Sequence, residues 1–462
     1  MPGRLIRNAV WLLAPVVFTA GAVDFSRVSG DSLRMNVAWL AADEREGRMT
    51  PSAGLEASAD YIGRQFAQAG LAPGGSDGTY FQSAPFSQVT PRLSDFRMTL
   101  DRGGQRTIFG ASAVAVRSLT ALDYQDVPVV RLPVHAPFPS IAGKVVEGDD
   151  RYVSETALHS VEAGKPSLIL LFVRGSRPKP EAPLLMETDL PPVIRIYGPN
   201  GNSIYGESDA PSRLTLHVAP PDRHDVTLRN VAGILRGSDP AMRDQFVILS
   251  AHYDHVGLRS AGKGKQTAVY HGANDNASSV ASLIEIAKAL GTDPHPRRSL
   301  LFLALFGEEE GLLGSGYYVR HPVIPLARTV ADINLEQLGR TDSSDGPEIA
   351  RFALSGPSYS NLAAIISPAA KIEGDTVYQE GNADDYFDRS DNYEFALAGV
   401  VAHTIVVAFE FADYHKVTDI AEKIDYGNLA KVDRGIAAGV AAVANAAEAP
   451  KWSDGARERS FR

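Results

Sequence analysis

The chain has 462 residues, 44% of them apolar and 8% aromatic, enough for a large core and more than one domain. Its 45 basic and 55 acidic residues leave a net charge of −10, which argues against the basic surface of a nucleic-acid binder. With no cysteine present, disulfides are excluded and any metal must be held by His, Asp and Glu.

Arg4 and Arg7 precede AVWLLAPVVFTAGA, an apolar run ending in small residues at Ala20 and Ala22. This predicts a signal peptide over residues 1–22 and an exported mature chain, periplasmic or secreted. No later stretch is apolar and long enough to span a membrane. DSLRMNVAWLAAD and SAGLEASADYIGRQFAQAG predict two helices within a first segment, 23–110. In the second helix Leu55, Ala59, Ile62 and Phe66 recur at helical spacing and Gly70 sits at its end. From 111 to 226 the texture changes. VPVVRLPV, SLILLFVRG, PPVIRIYG and RLTLHVAP alternate with Pro, Gly and Asp clusters, which predicts an inserted β-rich domain.

From 227 to 449 strands and helices alternate, predicting an α/β fold with a mostly parallel central sheet and helices on both faces. NVAGILRG, QFVILSAH, SLLFLALFG, TVADINLE and VVAHTIVVAF are its strands. ASSVASLIEIAKAL is a helix with Val280, Leu283, Ile284, Ala287 and Leu290 on one stripe, ended by Gly291. A last helix runs over 427–447, and residues 450–462 read as a frayed polar tail.

The chemistry gathers at strand ends. His252 follows FVILSA, Glu308 and Glu309 follow SLLFLALFG, Glu336 follows TVADINL, Asp275 lies in GANDNAS and His415 in ADYHKVTD. In an open α/β sheet such positions meet in one crevice beyond the carboxyl ends of the strands. Imidazoles with carboxylates suit hydrolytic zinc, and a shared carboxylate suits two ions. Three glutamates in a row are ordinarily a solvated turn, but directly after a buried strand they read as part of the site. A lone histidine is more often structural, and His255, His271 and His403 are read so, although the first two lie near the site. Arg389 and Asp391 fall near the cleft, either touching substrate or bracing a loop. GLRSAGKG lacks the Ser or Thr of a phosphate loop at Gly264, and no HExxH helix is present. Asn276, Ala277 and Ser278 spell a glycosylation sequon, but one abutting Asp275 makes a poor acceptor.

In their order and spacing, HYDHVG, GANDNAS, GEEEGLLGS, NLEQLGR and YHKVTD resemble the di-zinc aminopeptidase family, which includes exported bacterial aminopeptidases, glutamate carboxypeptidase II and glutaminyl cyclases. The resemblance extends to LAADEREGRMTPSAGLEASADYIGRQFAQAGLAP, and the inserted segment resembles a protease-associated domain. It implies two Zn2+ per chain: His252 and Glu336 on one ion, Glu309 and His415 on the other, Asp275 bridging. It further implies Glu308 as general base, Asp254 orienting His252, and Tyr414 steadying the oxyanion, with Glu310 a bystander. Many relatives carry Asp where this chain has Glu336, which leaves metal spacing and ion preference open. The implied function is an exported zinc exopeptidase, foremost an aminopeptidase acting on peptides. A carboxypeptidase, a glutaminyl cyclase and a non-catalytic receptor-like module are the alternatives. Cyclases work with one zinc and lack the first His, so His252 speaks against that one.

Overall fold

The computed structural model describes residues 24–133, 140–150, 153, 155–175, 183–198, 210–260, 266–292, 294–343, 346–378 and 383–456. The expected leader, residues 261–265 of the GLRSAGKG segment and residues 457–462 of the tail lie outside them.

Helices α1 (Gly30–Leu40) and α2 (Ala53–Gln68) form where the periodicity puts them. Each starts at a serine that accepts a backbone N–H, Ser29 from Ser32 at 3.3 Å and Ser52 from Leu55 at 3.0 Å. Gly70, at φ +77°, follows the last turn of α2, a conformation that glycine adopts without strain.

The central sheet comprises β1 (Phe81–Thr90), β2 (Leu184–Glu187), β3 (Asp222–Leu235), β4 (Phe246–His252), β5 (Ser299–Leu305), β6 (Thr329–Glu336), β7 (Arg351–Leu354), β8 (Thr376–Tyr378) and β9 (Ala402–Val406), in the order β8-β7-β9-β6-β4-β5-β3-β1-β2. β5, β4, β6 and β9 are parallel neighbours at its centre. The flanks are antiparallel, β3 on β5, β1 on β3, β2 on β1 and β7 on β9. The predicted parallel sheet is thus the core of a mixed one, because β1 and β3 form a hairpin-like ribbon that the sequence interrupts for more than a hundred residues.

Both faces are covered, which is why β4 and β5 are buried at every residue and apolar nearly throughout. Val247, Leu249 and Ala251 of β4 pack on the side of α1, α2, α3 (Ser279–Leu290) and α7 (Tyr426–Asn445). Phe246 and Ile248 face Tyr318 of α4 (Leu313–Arg320) and Phe395 of α6 (Asn392–Leu397). Helix α5 (Leu362–Ile372) joins the first layer. The stripe read on α3 widens into burial of every residue except Lys288, since neighbouring helices enclose it. The tail is not frayed where described. Lys451 N donates to Asn361 Oδ1 at 2.7 Å, Trp452 Nε1 donates to Gly399 O, and Ala456 is buried. One tryptophan packing on Phe387 and His403 anchors a stretch whose composition is otherwise polar.

The inserted module is an eight-stranded sheet that begins at Arg97, not at 111, and closes at Val218, not at 226. Arg97–Arg102 and Gln105–Phe109 form a hairpin over Gly103 and Gly104, both at positive φ, and that hairpin pairs with Ser212–Val218. Asp222 already belongs to β3 of the central sheet, so the chain passes from the module back to that sheet in the short link between Val218 and Asp222. Helix Glu155–Ala163 covers one face of the module through Leu158 and Val161.

Two buried basic groups have consequences for stability. Arg48 is fully buried and donates to four backbone carbonyls: Leu40 at 2.6 Å, Tyr253 at 2.9 Å, His271 at 2.8 Å and Gly272 at 3.0 Å. Burial pushes its pKa down to about 10, still charged at neutral pH, with Asp254, Asp275 and Asp419 favouring the cation. Arg48→Met strands those carbonyls and removes the counter-charge. Chemical denaturation of metal-free protein is expected to show a loss of about 3–5 kcal/mol.

His403 is also fully buried, with Nδ1 2.7 Å from Ser355 O and Nε2 2.7 Å from Ser360 Oγ. Burial lowers its pKa from 6.5 to about 4. Its neutral form is therefore native, and that stability is complete above pH 6.5. As the pH falls from 6.5 towards 4 the unfolded chain gains a proton that the native one refuses, at a cost of about 3 kcal/mol in all. His403→Gln is expected to flatten that part of the stability–pH curve, measured by denaturant midpoints at each pH.

Candidate metal centre

His252 ends β4, Glu336 ends β6, Glu308 and Glu309 follow the turn after β5, and His415 follows β9, so the four parallel strands deliver their groups to one edge. Asp275 arrives from the segment leading into α3, with the Asp275–Asn276 peptide cis. Asp419 accepts the backbone N–H of Asn274 at 2.9 Å and of Asp275 at 3.1 Å, fixing that segment.

The groups sort into two clusters that share Asp275. In the first, His252 Nε2 lies 3.1 Å from Glu336 Oε1 and 3.5 Å from Asp275 Oδ1. In the second, His415 Nε2 lies 3.1 Å from Asp275 Oδ2 and 3.0 Å from Glu309 Oε2. The two Asp275 oxygens thus face opposite clusters. Burial works against the Asp275 carboxylate, but His252, His255 and His415 hold it well below the ordinary range.

Glu308 belongs to neither cluster. Its Oε2 is 4.0 Å from His252 Nε2, and its backbone N donates to Asp254 Oδ1 at 3.1 Å. Burial, reinforced by Glu336 and Glu309 and only partly offset by His252, pushes its carboxyl well above the usual range. Asp254, fully buried, has Oδ1 3.4 Å from His252 Nδ1. Tyr414 stacks on His415 with ring centroids 4.0 Å apart and lines the cleft beside Asp275, Glu308 and Glu336. Desolvation and the same carboxylates raise its pKa, so the phenol keeps its proton.

All eight residues singled out by sequence come together here. Arg389 lines the cleft, whereas Asp391 is fully buried and accepts from Ser315 Oγ, out of substrate reach. Asn276 is buried with its amide donating to Leu335 O at 2.9 Å, so the sequon is no acceptor. His271 pairs with Asp43 at 2.7 Å and Glu310 is exposed. Sequence reasoning missed two participants. His255, read as structural, joins the second cluster, and Asp419 closes YHKVTD beneath Asp275. The signals were there: a second imidazole three residues after His252, and an aspartate ending a motif already picked out. A third grouping, Glu187, Asp189 and His321, lies elsewhere. Arg320 Nε donates to Glu187 at 3.0 Å and His321 Nε2 lies 2.8 Å from it, so it is an ion-pair network joining β2 to the end of α4.

Nitrogen and oxygen donors with no thiolate suit zinc. Asp275 Oδ2 and His415 Nε2 are buried atoms facing each other without a hydrogen-bond partner, as two ligand atoms aimed at one point are. The residues fit two ions.

Residues 230–440 match the family described as Peptidase family M28. Over those residues the chain is similar to that family. The M28 region carries every residue of both clusters. Over 196 residues the chain is 29% identical to aminopeptidase YwaD of Bacillus subtilis, covering 42% of this chain and 39% of the relative. Over 148 residues it is 36% identical to aminopeptidase NAALADL1 of Mus musculus, covering 30% and 17%. The matches thus span well under two thirds of these relatives' lengths. An aminopeptidase structure from Aneurinibacillus sp. strain AM-1 superposes with a TM-score of 0.50 at 18% identity, covering 90% of this chain and 94% of that one. At that identity the likeness speaks for the fold alone.

Proposed function

We propose that this chain is an exported zinc-dependent exopeptidase, foremost an aminopeptidase releasing N-terminal residues from peptides. The observation that carries the reading is the pair of ligand clusters sharing Asp275, with Glu308 beside them and bound to neither. Relatives named aminopeptidases and probable zinc metalloproteases support it. His252 and Glu336 would hold one Zn2+, Glu309 and His415 the other, and Asp275 both. When bound, the ions lower the pKa of water and polarise the scissile carbonyl.

The chain's own residues do the rest. Glu308 takes the proton of the attacking water and returns it to the leaving amine; burial, with Glu336 and Glu309 beside it, raises its carboxyl above the usual range, the direction that makes it a stronger proton acceptor. Asp254 keeps the proton of His252 on Nδ1, leaving Nε2 free to bind. Tyr414 donates its phenolic proton to the developing oxyanion. Export rests on the leader pattern at 1–22.

Purified protein is expected to contain two zincs per chain and to hydrolyse aminoacyl-p-nitroanilides, losing activity to a chelator and regaining it with Zn2+. No amide hydrolysis in the zinc-loaded protein would refute the reading. One observation favours a carboxypeptidase instead: Arg389 offers a cation to a substrate carboxylate in the same cleft. N-acetylated dipeptides separate the two, since an aminopeptidase leaves them intact and a carboxypeptidase cleaves them.

A further inference from the structure

His255 sits among the candidate ligands yet has a different chemical position. It is 1% exposed, its Nδ1 lies 2.8 Å from Glu309 Oε1 and 3.7 Å from Asp275 Oδ2, and its ring meets that of His415 edge to face. The other nitrogen decides the role. His252 has a carboxylate oxygen 3.4 Å from Nδ1, a place for its proton when Nε2 binds an ion. His255 Nε2, like His252 Nδ1, is buried with no hydrogen-bond partner among the described residues, but unlike it has no carboxylate oxygen facing it there. Binding an ion through Nδ1 would force the His255 proton onto that partnerless nitrogen, and a buried unsatisfied donor is costly. With the proton on Nδ1, it is donated to Glu309 and Nε2 is left as an idle lone pair.

Glu336 shows the same division of labour. Its Oε1 faces His252, while its Oε2 accepts from Ser390 Oγ at 3.0 Å and Asn276 Nδ2 at 3.2 Å. Glu309 has Oε2 facing His415 and Oε1 facing His255. In each carboxylate one oxygen is held by protein donors and the other is presented to its cluster.

We infer that His255 is a positioning residue: its Nδ1–H holds Glu309 Oε1, so that Glu309 offers a single oxygen, Oε2, to the ion it shares with His415. This rests on the two-zinc reading above. One-oxygen ligation by Glu309 leaves a coordination position open, as a catalytic site requires. A donor bonded to a ligating carboxylate is worth about 10–100-fold in metal affinity.

The test compares metal-free wild type, His255→Ala and His255→Asn, the last keeping an N–H near the place of Nδ1. Zinc is titrated by calorimetry, metal-free forms are melted to check folding, and the zinc-loaded wild type is crystallised. Wild type and His255→Asn are expected to bind two ions alike. His255→Ala is expected to bind the first normally and the second about 10–100-fold more weakly. In the crystal, His255 Nδ1 is expected well beyond the roughly 2.0–2.1 Å of a Zn–N bond. A bond of that length, or an Asn variant as impaired as Ala, would make His255 a ligand and overturn the inference. Unchanged second-ion affinity in His255→Ala would leave it without a role. A wild type that binds no zinc overturns the proposed function itself.

Discussion

Glu308→Gln is expected to lower kcat by about 10²–10⁴-fold while both zincs stay bound and KM barely moves. The size follows from what the substitution removes. Gln keeps the shape and the backbone N–H that donates to Asp254 at 3.1 Å, so the turn after β5 is undisturbed. Glu308 contributes to neither ligand cluster, so neither ion loses a ligand. What vanishes is the only capacity an amide lacks, that of taking and returning a proton. Parallel kinetics and metal analysis on one preparation check it. A variant that loses zinc along with activity would instead make Glu308 a ligand.

Asp275→Ala is expected to do what Glu308→Gln does not, emptying both positions together. Asp275 is the one residue in both clusters, Oδ1 3.5 Å from His252 and Oδ2 3.1 Å from His415. Its loss leaves each ion a single imidazole and a single carboxylate. Zinc content after dialysis is expected to fall from two towards none, and activity by about 10³-fold or more, the weight of several kcal/mol of lost charge stabilisation. Retention of one zinc at full affinity would show that the clusters do not depend on a common carboxylate. Together the two variants separate proton transfer from metal retention.

Much of this was legible in the sequence because strand ends announce themselves. SLLFLALFG and FVILSAH are apolar since both faces of β5 and β4 are buried, and the first polar residues after them have only the crevice to enter. The fate of His255 was not legible. Its neighbour His252 and the lone His403 carry the same side chain, and what separates the three is which oxygens face each ring nitrogen. Nor could the module's true edges be read. Asp222–Leu235 is half exposed, charged sequence and half buried, apolar sequence, which suggests two elements where there is one. Trp452 was hidden for a similar reason, a single anchor within a polar tail.

That long strand has an architectural consequence. Thr90 and Asp222 are paired neighbours across β1 and β3, so the module departs from and returns to the same rung of one ribbon. A tight turn joining those two residues would close the ladder and yield a chain without residues 91–221. Such a minimal chain also forfeits β2, and with it the Glu187 pairing to Arg320. The graft is therefore topologically free but not interfacially free: excising it exposes Arg320 and the flank of β1, and a shortened chain needs new polar cover there to stay soluble.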